Sequence, residues 1–317
     1  MDQPAPAMED VAIPPGARDD RPLLGMGLRL LAMLFLSIMF ALGKLVADRG
    51  VLLVETMFYR QALALPLVFL WVAATDGPGA VATRRIGSHA TRTIVGLTGM
   101  GLNFGSFILL PLTEATTIGF TMPIFATLLA VLLLRERPGV HRWSAIIVGF
   151  LGILVMARPD AAHFPLLGLA VALIAAVVTA CVSLILRDLG RTENSGVIVF
   201  WFTLLSLPPL GLLMLFFGRA HDPLTWGLLL LIGLSGGIAQ LLMTGALRLA
   251  PVSVVLGMDY SSILWATLLG LAFWGEWPIA TTWIGAALII GSGLYIVWRE
   301  HSRTRLAALS RATLPPG

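Results

Sequence analysis

The sequence contains little charge and almost no cysteine. Only 12% of its 317 residues are charged, and Cys181 is the single cysteine. One cysteine excludes an intrachain disulfide framework and a metal site built from several thiolates. The basic residues are scattered between apolar segments and form no continuous stripe of the kind that binds nucleic acid. No Walker-type loop for ATP is present. We therefore expect no cofactor, no metal and no nucleic-acid partner.

Apolar residues, in contrast, make up 57% of the chain, and the mean hydropathy is +0.90. A soluble domain cannot cover that much apolar surface. Runs of about 17 to 25 apolar residues are long enough to cross a lipid bilayer as helices. Ten such runs occur, at 24–43, 51–73, 93–112, 115–134, 142–158, 164–186, 196–217, 224–247, 252–274 and 280–298. The sequence predicts an all-α polytopic membrane protein with ten transmembrane helices.

The distribution of positive charge predicts the orientation, because lysine and arginine are retained preferentially on the cytoplasmic side. With the N-terminus inside, all but five of the 21 lysine and arginine residues fall on one side, Arg29 and Arg92 among them. The five exceptions are Lys44, Arg49, Arg60, Arg158 and Arg219. We expect a multi-pass protein of a bacterial-type inner membrane with both termini in the cytoplasm, as a monomer or a homodimer in lipid.

An internal repeat divides the chain. At an offset of about 140 residues, several features recur, namely Pro111 as Pro251, Ala-Thr-Leu-Leu at 126–129 and 266–269, Glu136 as Glu276, and Trp143 as Trp283. Five helices per copy is an odd number, so the second copy enters the membrane from the opposite face. This predicts two inverted five-helix repeats that rock against each other around a central site. The expected division is a tail at 1–23, repeats at 24–158 and 159–298, and a tail at 299–317.

Several stretches resemble a known family. They are Phe-Tyr-Arg-Gln-Ala-Leu-Ala at 58–64, Phe-Thr-Met-Pro-Ile-Phe at 120–125, Arg-Glu-Arg at 135–137, Trp143, Gly149, Gly152, and Ala-Leu-Arg-Leu-Ala-Pro at 246–251 leading into Asp-Tyr-Ser-Ser at 259–262. They resemble the drug/metabolite transporter superfamily in its EamA-type branch, across all ten spans. The resemblance implies a carrier of a small organic molecule, as in relatives that move S-adenosylmethionine, riboflavin, amino acids or opine-type metallophores. The 259–262 segment looks closest to the branch for S-adenosylmethionine or riboflavin uptake.

Ionisable side chains inside a span are costly and indicate either a partner or a function. Asp259 lies about 6 Å from the middle of the ninth span at a rise of 1.5 Å per residue, and Arg60 lies about 3 Å from the middle of the second. Asp259 could bind a cationic group or carry a coupling proton. Arg60 could hold a carboxylate or phosphate, or neutralise Asp259 when the cavity is empty. Either residue could instead be a structural partner of a neighbouring helix.

Further polar candidates are Glu55, Lys44, Asn103 and Gln240. Glu55 is shallower than Arg60 and points about 140° away from it around the helix. Lys44 closes the first span and is expected to snorkel to the outer interface. Asn103 and Gln240 occupy corresponding places in the two repeats, and each could bind a ligand or hydrogen-bond a neighbouring helix.

Aromatic residues in the spans could stack on a flat ring such as an adenine or a flavin, although they also serve as ordinary packing. The candidates are Tyr260, Trp265, Phe104 and Tyr59. Prolines inside spans free backbone carbonyls, so Pro123, Pro208 and Pro209 are expected to bend the fourth and seventh helices.

These features predict a secondary transporter that imports S-adenosylmethionine or riboflavin by alternating access, or exports amino acids or metallophores. An intramembrane enzyme acting on lipid-linked substrates is a second class. It needs clustered acids, histidines or metal ligands at one depth, and all five histidines are expected in loops or tails. A membrane receptor or scaffold is a third class, which the duplicated halves do not favour.

Overall fold

The computed structural model describes residues 21–134, 140–157, 165–249 and 257–312. Within these ranges the chain forms eleven α-helices and two short 3-10 segments, and no strand. The helices are α1 (Pro22–Asp48), α2 (Leu53–Asp76), α3 (Ile86–Leu109), α4 (Leu112–Gly119), α5 (Met122–Leu134), α6 (Val140–Ala157), α7 (Leu166–Leu189), α8 (Ser195–Phe217), α9 (Pro223–Leu249), α10 (Ser261–Trp274) and α11 (Ala280–Ala312).

The prediction of ten spans is confirmed. Eight spans are single helices, the fourth consists of α4 and α5, and the described part of the ninth consists of the 3-10 segment Gly257–Tyr260 followed by α10. Within the described ranges, six segments are long and apolar enough on their own to cross a bilayer, and two shorter apolar helices accompany them. The predicted features at 135–137, Arg158 and Pro251 lie outside the described residues.

The fourth span breaks instead of bending. Helix α4 ends at Gly119, and Phe120 and Thr121 form a turn before α5 begins. Pro123 is the second residue of α5, where its missing N–H group is not needed for a helical hydrogen bond. The break places the side chains around Phe120 at the end of a short helix, next to the start of the ninth span.

Contacts at the helix ends show that successive spans alternate in direction. We call the face where α1 begins the proximal face and the face where it ends the distal face. On the proximal face Arg21 N donates to Leu249 O at 3.0 Å. On the distal face Trp274 Nε1 donates to Asp48 Oδ2 at 2.9 Å. Helices α1 and α7, the first of each half, therefore run in opposite directions.

The packing between the halves is symmetric. Helix α1 of the first half packs against α9 of the second, and α7 of the second packs against α3 of the first. Helix α2 packs against its counterpart α8, and α6 against its counterpart α11. This arrangement is the inverted repeat that the sequence predicts.

The contact between α6 and α11 is made through two glycines. A Cβ atom on Gly152 would lie 2.9 Å from the carbonyl oxygen of Gly285, and one on Gly285 would lie 2.6 Å from the carbonyl oxygen of Gly152. Only glycine permits two helix backbones to approach so closely.

The outside of the bundle is apolar and its interior holds many polar groups. Leu215 and Phe216 on α8 are 80% and 76% exposed, whereas Glu55, Gln61 and His89 are fully buried. That distribution suits a hydrocarbon solvent, in which polar groups must be satisfied inside the protein. The expectation that every histidine lies in a loop or tail is wrong for His89. Helix α3 begins at Ile86, several residues before the apolar run, and includes it.

Candidate functional site

A cavity of about 260 Å³ lies between the two halves. Helices α1, α3 and α4 line it from the first half, and α7, α9 and the start of the ninth span line it from the second. Its walls are mainly apolar. The polar residues that line it include Arg29, Ser37, Asn103, Thr179, Asp259 and Ser262. A largely apolar pocket with a few placed polar groups is the usual form of a small-molecule site.

A bidentate ion pair lies in this cavity. Arg29 Nε donates to Asp259 Oδ1 at 2.5 Å, and Arg29 Nη2 donates to Asp259 Oδ2 at 2.7 Å. The two side chains are 7% and 26% exposed, so water has little access to the guanidinium. Two parallel charge-assisted hydrogen bonds are the strongest geometry available to this pair of groups.

The expected pairing of Arg60 with Asp259 is wrong. Arg29 occupies that place, and Arg60 is not among the described residues that line the cavity.

Sequence reasoning missed Arg29 because it counted this residue with the cytoplasmic positive charges. Helix α1 begins at Pro22, which places Arg29 about 10 Å along the helix at 1.5 Å per residue. The available signal was its position inside the first apolar run, where a charge needs a partner.

Asp259 lies in the 3-10 segment Gly257–Tyr260, directly before α10. Its carbonyl oxygen accepts a hydrogen bond from Ser262 Oγ at 2.7 Å, which connects the segment to the first turn of α10. The carboxylate itself is left for Arg29 across the cavity.

Of the two amide candidates, Asn103 lines the cavity and Gln240 does not. Asn103 Nδ2 donates to Gly99 O at 2.7 Å and to Thr179 Oγ1 at 3.3 Å, and so connects α3 with α7. Helix α9 contributes Met243, about one turn beyond Gln240.

The aromatic rings that line the cavity are Phe40, Phe107 and Phe120. Phe40 and Phe107 stack with ring centroids 4.1 Å apart, and Phe120 packs on Tyr260 at 4.8 Å. None of the four predicted stacking residues lines the cavity. Phe104 is 1% exposed within the core, and Tyr59 packs on Phe58 and Trp226. Trp265 has a buried indole N–H with no hydrogen-bond partner in the described ranges.

Lys44 does not snorkel as expected. It is 7% exposed, and its Nζ donates to Leu110 O at 2.9 Å and to Glu276 Oε1 at 3.4 Å. The carbonyl at the end of α3 and the carboxylate after α10 hold the lysine inside, on the distal side of the cavity. Trp274 covers it, with Nζ 5.1 Å from the ring centroid.

Glu55 acts at the distal end of α2. One of its carboxylate oxygens accepts from Leu52 N at 2.9 Å, and the other accepts from Arg219 N at 2.8 Å and lies 3.0 Å from His221 Nε2. The side chain is fully buried. Its hydrogen bonds cap the start of α2 and hold the loop before α9.

Comparisons with known proteins agree with this geometry. The sequence model of the EamA-like transporter family matches twice, at residues 23–158 and 166–298. The two matches correspond to the two halves seen in the packing.

Three curated relatives are transporters. A riboflavin transporter of Rhizobium johnstonii is 31% identical over 239 residues, which cover 73% of this chain and 77% of the relative. A pseudopaline exporter of Pseudomonas aeruginosa is 28% identical, covering 84% and 93% of the two chains. An S-adenosylmethionine uptake transporter of Rickettsia prowazekii is 25% identical, covering 77% and 81%. The names of the family and of these relatives indicate transporters and not enzymes. With both halves matched, the chain belongs to the EamA-like transporter family, within the drug/metabolite transporter superfamily.

Proposed function

We propose that the protein is a secondary transporter of the bacterial inner membrane, which moves a small organic metabolite by alternating access between halves at 24–158 and 159–298. The observation that carries the proposal is the cavity between the halves, with the Arg29–Asp259 ion pair in its wall. A site at the interface of two inverted repeats can open to either face when the repeats rotate against each other.

The Arg29–Asp259 pair gives the cavity a means of recognising charge. In the empty cavity the two groups neutralise each other. A metabolite with a cationic group competes with Arg29 for the Asp259 carboxylate, and binding therefore separates α1 from the ninth span. Protonation of Asp259 would release Arg29 in the same way, which is how we propose that protons couple to transport.

The substrates to test first are riboflavin and S-adenosylmethionine, because one relative is a riboflavin transporter and another is an S-adenosylmethionine uptake transporter. The rings of Phe40, Phe107 and Phe120 give the cavity apolar faces on which a flavin or an adenine can stack. Export of a metallophore or an amino acid is the second candidate, and the similarity to the pseudopaline exporter favours it.

We propose that the proximal face is cytoplasmic. In the described chain Arg84, Arg85, Arg187, Arg191 and Arg248 lie near this face, whereas Arg49 and Arg219 lie near the distal face. The excess of positive charge follows the rule for cytoplasmic loops and supports the proposal that both termini lie inside the cell.

The proposal is tested by counterflow in proteoliposomes with labelled riboflavin and labelled S-adenosylmethionine. We expect the wild-type protein to accumulate one of them, and to accumulate more when a pH gradient is imposed. Asp259→Asn should lose the response to the gradient. The matched control is Asp222→Asn, which removes a carboxylate of a distal loop from its arginine partner and should leave transport unchanged.

An unchanged response to the gradient in Asp259→Asn would remove this residue from coupling. Failure of wild-type protein to exchange these two compounds, a metallophore or any amino acid would contradict the proposed function itself.

A further inference from the structure

Two arginines lie inside the bundle without an acidic partner in the part of the chain that the structure describes. Arg60 projects from α2 and Arg92 from α3. Among the residues that the structure describes, neither guanidinium has a carboxylate oxygen within the 4.0 Å of an ion pair. Four other arginines do have one, namely Arg29, Arg49, Arg85 and Arg248.

Arg60 lies where α2, α3 and α9 meet. Its Nη1 donates to Gln61 Oε1 and lies 3.5 Å from Met100 Sδ on α3. Its Nε and the side-chain nitrogen of Gln61 are buried and have no partner in the described chain. A Cβ atom on Gly236 of α9 would lie 3.3 Å from Arg60 Nε. This corner of the bundle therefore contains unused hydrogen-bond donors beside a positive charge.

Arg92 lies against α8, where its Cζ is 4.2 Å from the centroid of the Phe202 ring. Its Nε and Nη1 are also buried, with no hydrogen-bond partner among the described residues. The guanidinium lies over Gly96, where a Cβ atom would come within 1.9 Å of Nη1. Gly96 is one turn before Met100 on α3, and Met100 contacts Arg60, so the side chain of Arg92 extends toward Arg60.

The nearest acid along α2 does not neutralise Arg60 and Arg92. Glu55 is five residues before Arg60, and its oxygens are engaged by Leu52, Arg219 and His221. Two like charges that repel each other inside a membrane protein are costly, and more so with unsatisfied N–H groups. Yet the fold makes room for both, with a ring face beside Arg92 and a glycine beside each guanidinium.

We propose that Arg60 and Arg92 form a binding site for an oxyanion, a carboxylate or phosphate group, between α2, α3, α8 and α9. A guanidinium presents parallel N–H donors that match the two oxygens of such a group. A bound oxyanion supplies both the missing negative charge and acceptors for the unpaired nitrogens.

The source of the oxyanion follows from the proposed function, on which this step rests. We assign it to the transported metabolite, so the substrate carries a carboxylate or phosphate group. S-adenosylmethionine and opine-type metallophores carry carboxylates, whereas riboflavin carries neither group. The site thus distinguishes between the substrates proposed above, and a free inorganic oxyanion is the alternative source.

The experiment is thermal unfolding of the full-length protein in detergent, with potassium malonate or potassium phosphate compared with potassium chloride at equal ionic strength. A ligand that binds only the folded state raises the melting temperature. We expect malonate to do so, and Arg60→Gln and Arg92→Gln each to weaken the apparent affinity by roughly tenfold or more. A response to malonate assigns the site to an organic acid, and a response to phosphate alone assigns it to the inorganic ion.

The matched control is Arg248→Gln. Arg248 lies 4.5 Å from the Trp71 ring centroid, much as Arg92 lies against Phe202, but it already has a carboxylate partner in Asp76 at 2.6 Å. Its loss should leave the response to malonate unchanged. Without anions, Arg92→Gln should melt at the same temperature as the wild type or higher, because an unpaired charge has been removed.

Three results would overturn the inference. The first is that neither anion raises the melting temperature of the wild type, and the second is that both glutamine variants respond as fully as the wild type. The third is a clear loss of stability in Arg92→Gln without anions, which would show that the guanidinium is structural. The assay needs no gradient and no vesicle. Anion binding without transport would therefore refute the proposed function alone, and transport without anion binding would refute this site alone.

Discussion

Two regions of the bundle hold their buried cations in opposite ways. Along α1, Arg29 meets Asp259 at the start of the ninth span, and Lys44 meets Glu276 just after its end. Between α2 and α3, Arg60 and Arg92 have no acid within reach among the described residues. Both regions lie in the same low-dielectric interior, so the same physical cost applies to each.

The difference distinguishes paired charges, which stabilise the fold, from unpaired charges, which we propose bind a ligand. The two pairs along α1 lie about 22 Å apart at 1.5 Å per residue, with Arg29–Asp259 in the cavity wall and Lys44–Glu276 on the distal side of the cavity. They connect the two halves and are neutral without any bound molecule. The arginines between α2 and α3 reach neutrality only when an anion arrives.

The largest effect is expected from breaking the paired region at Asp259. Asp259→Ala leaves Arg29 buried and uncompensated, which should lower the free energy of unfolding by about 3 kcal/mol. Arg29→Met combined with Asp259→Leu should recover most of that loss, because no charge then remains. Unfolding by SDS titration measures both. Equal losses in the single and the double variant would contradict this account.

In the unpaired region, Gly96→Ala should have the next largest effect. The new methyl group would meet Arg92 Nη1 and the Phe202 ring, so the guanidinium must move. We expect the free energy of unfolding to fall by about 2 kcal/mol. The rise in melting temperature caused by malonate should also become smaller, because Arg92 is displaced. Gly27→Ala on α1 is the control, since nothing lies within 4 Å of its Cβ position and the helix gains up to about 1 kcal/mol. Similar melting temperatures for the two variants would argue against this packing.

Lys44→Met tests the second pair along α1. Its loss leaves the carbonyl of Leu110 buried without this donor, which should cost about 1.5 kcal/mol in the same SDS titration. Lys44→Arg, which keeps the charge, should lose less. A methionine variant as stable as the wild type would mean that the lysine instead reaches the lipid headgroups.

The smallest effect is expected at Asp222, in the exposed loop before α9. The hydroxyl and amide of Thr225 and the guanidinium of Arg49 lower the pKa of Asp222 from 3.8 to about 2. Since the folded pKa lies below the unfolded one, the stabilisation is complete above pH 4 and disappears as the pH falls toward 2. The melting temperature of wild-type protein should therefore fall more over this range than that of Asp222→Asn. Parallel curves would remove Asp222 as the cause.

The ten spans could be predicted because hydrocarbon thickness sets the length of an apolar run, and glycine, proline and charge mark its ends. The break at Phe120 and Thr121 could not. It depends on how α4 packs against the ninth span, and the sequence showed only Pro123 nearby. The inverted repeat was visible from residue spacing alone, because matched positions do the same structural work in both halves.

Asp259 was the residue of the site that the sequence identified best, since a lone acid in a long apolar run has few explanations. Arg29 and Arg92 were both counted with the cytoplasmic charges because each lies near the start of its span. Arg29 is inside the first apolar run, about 10 Å along α1. Arg92 directly precedes the third run but is already on α3, which begins at Ile86, and its long side chain reaches the interior.

The glycine contact between α6 and α11 bears on the rotation of the halves that we propose for transport. Backbone meets backbone at Gly152 and Gly285, so no side chain there needs a new rotamer when one half turns against the other. In the proposed cycle this crossing is the point about which the α1–α9 and α3–α7 pairs move. A small rotation there would become a larger displacement at the Arg29–Asp259 pair, and a methyl group added at either glycine would force the two helices apart without touching the cavity.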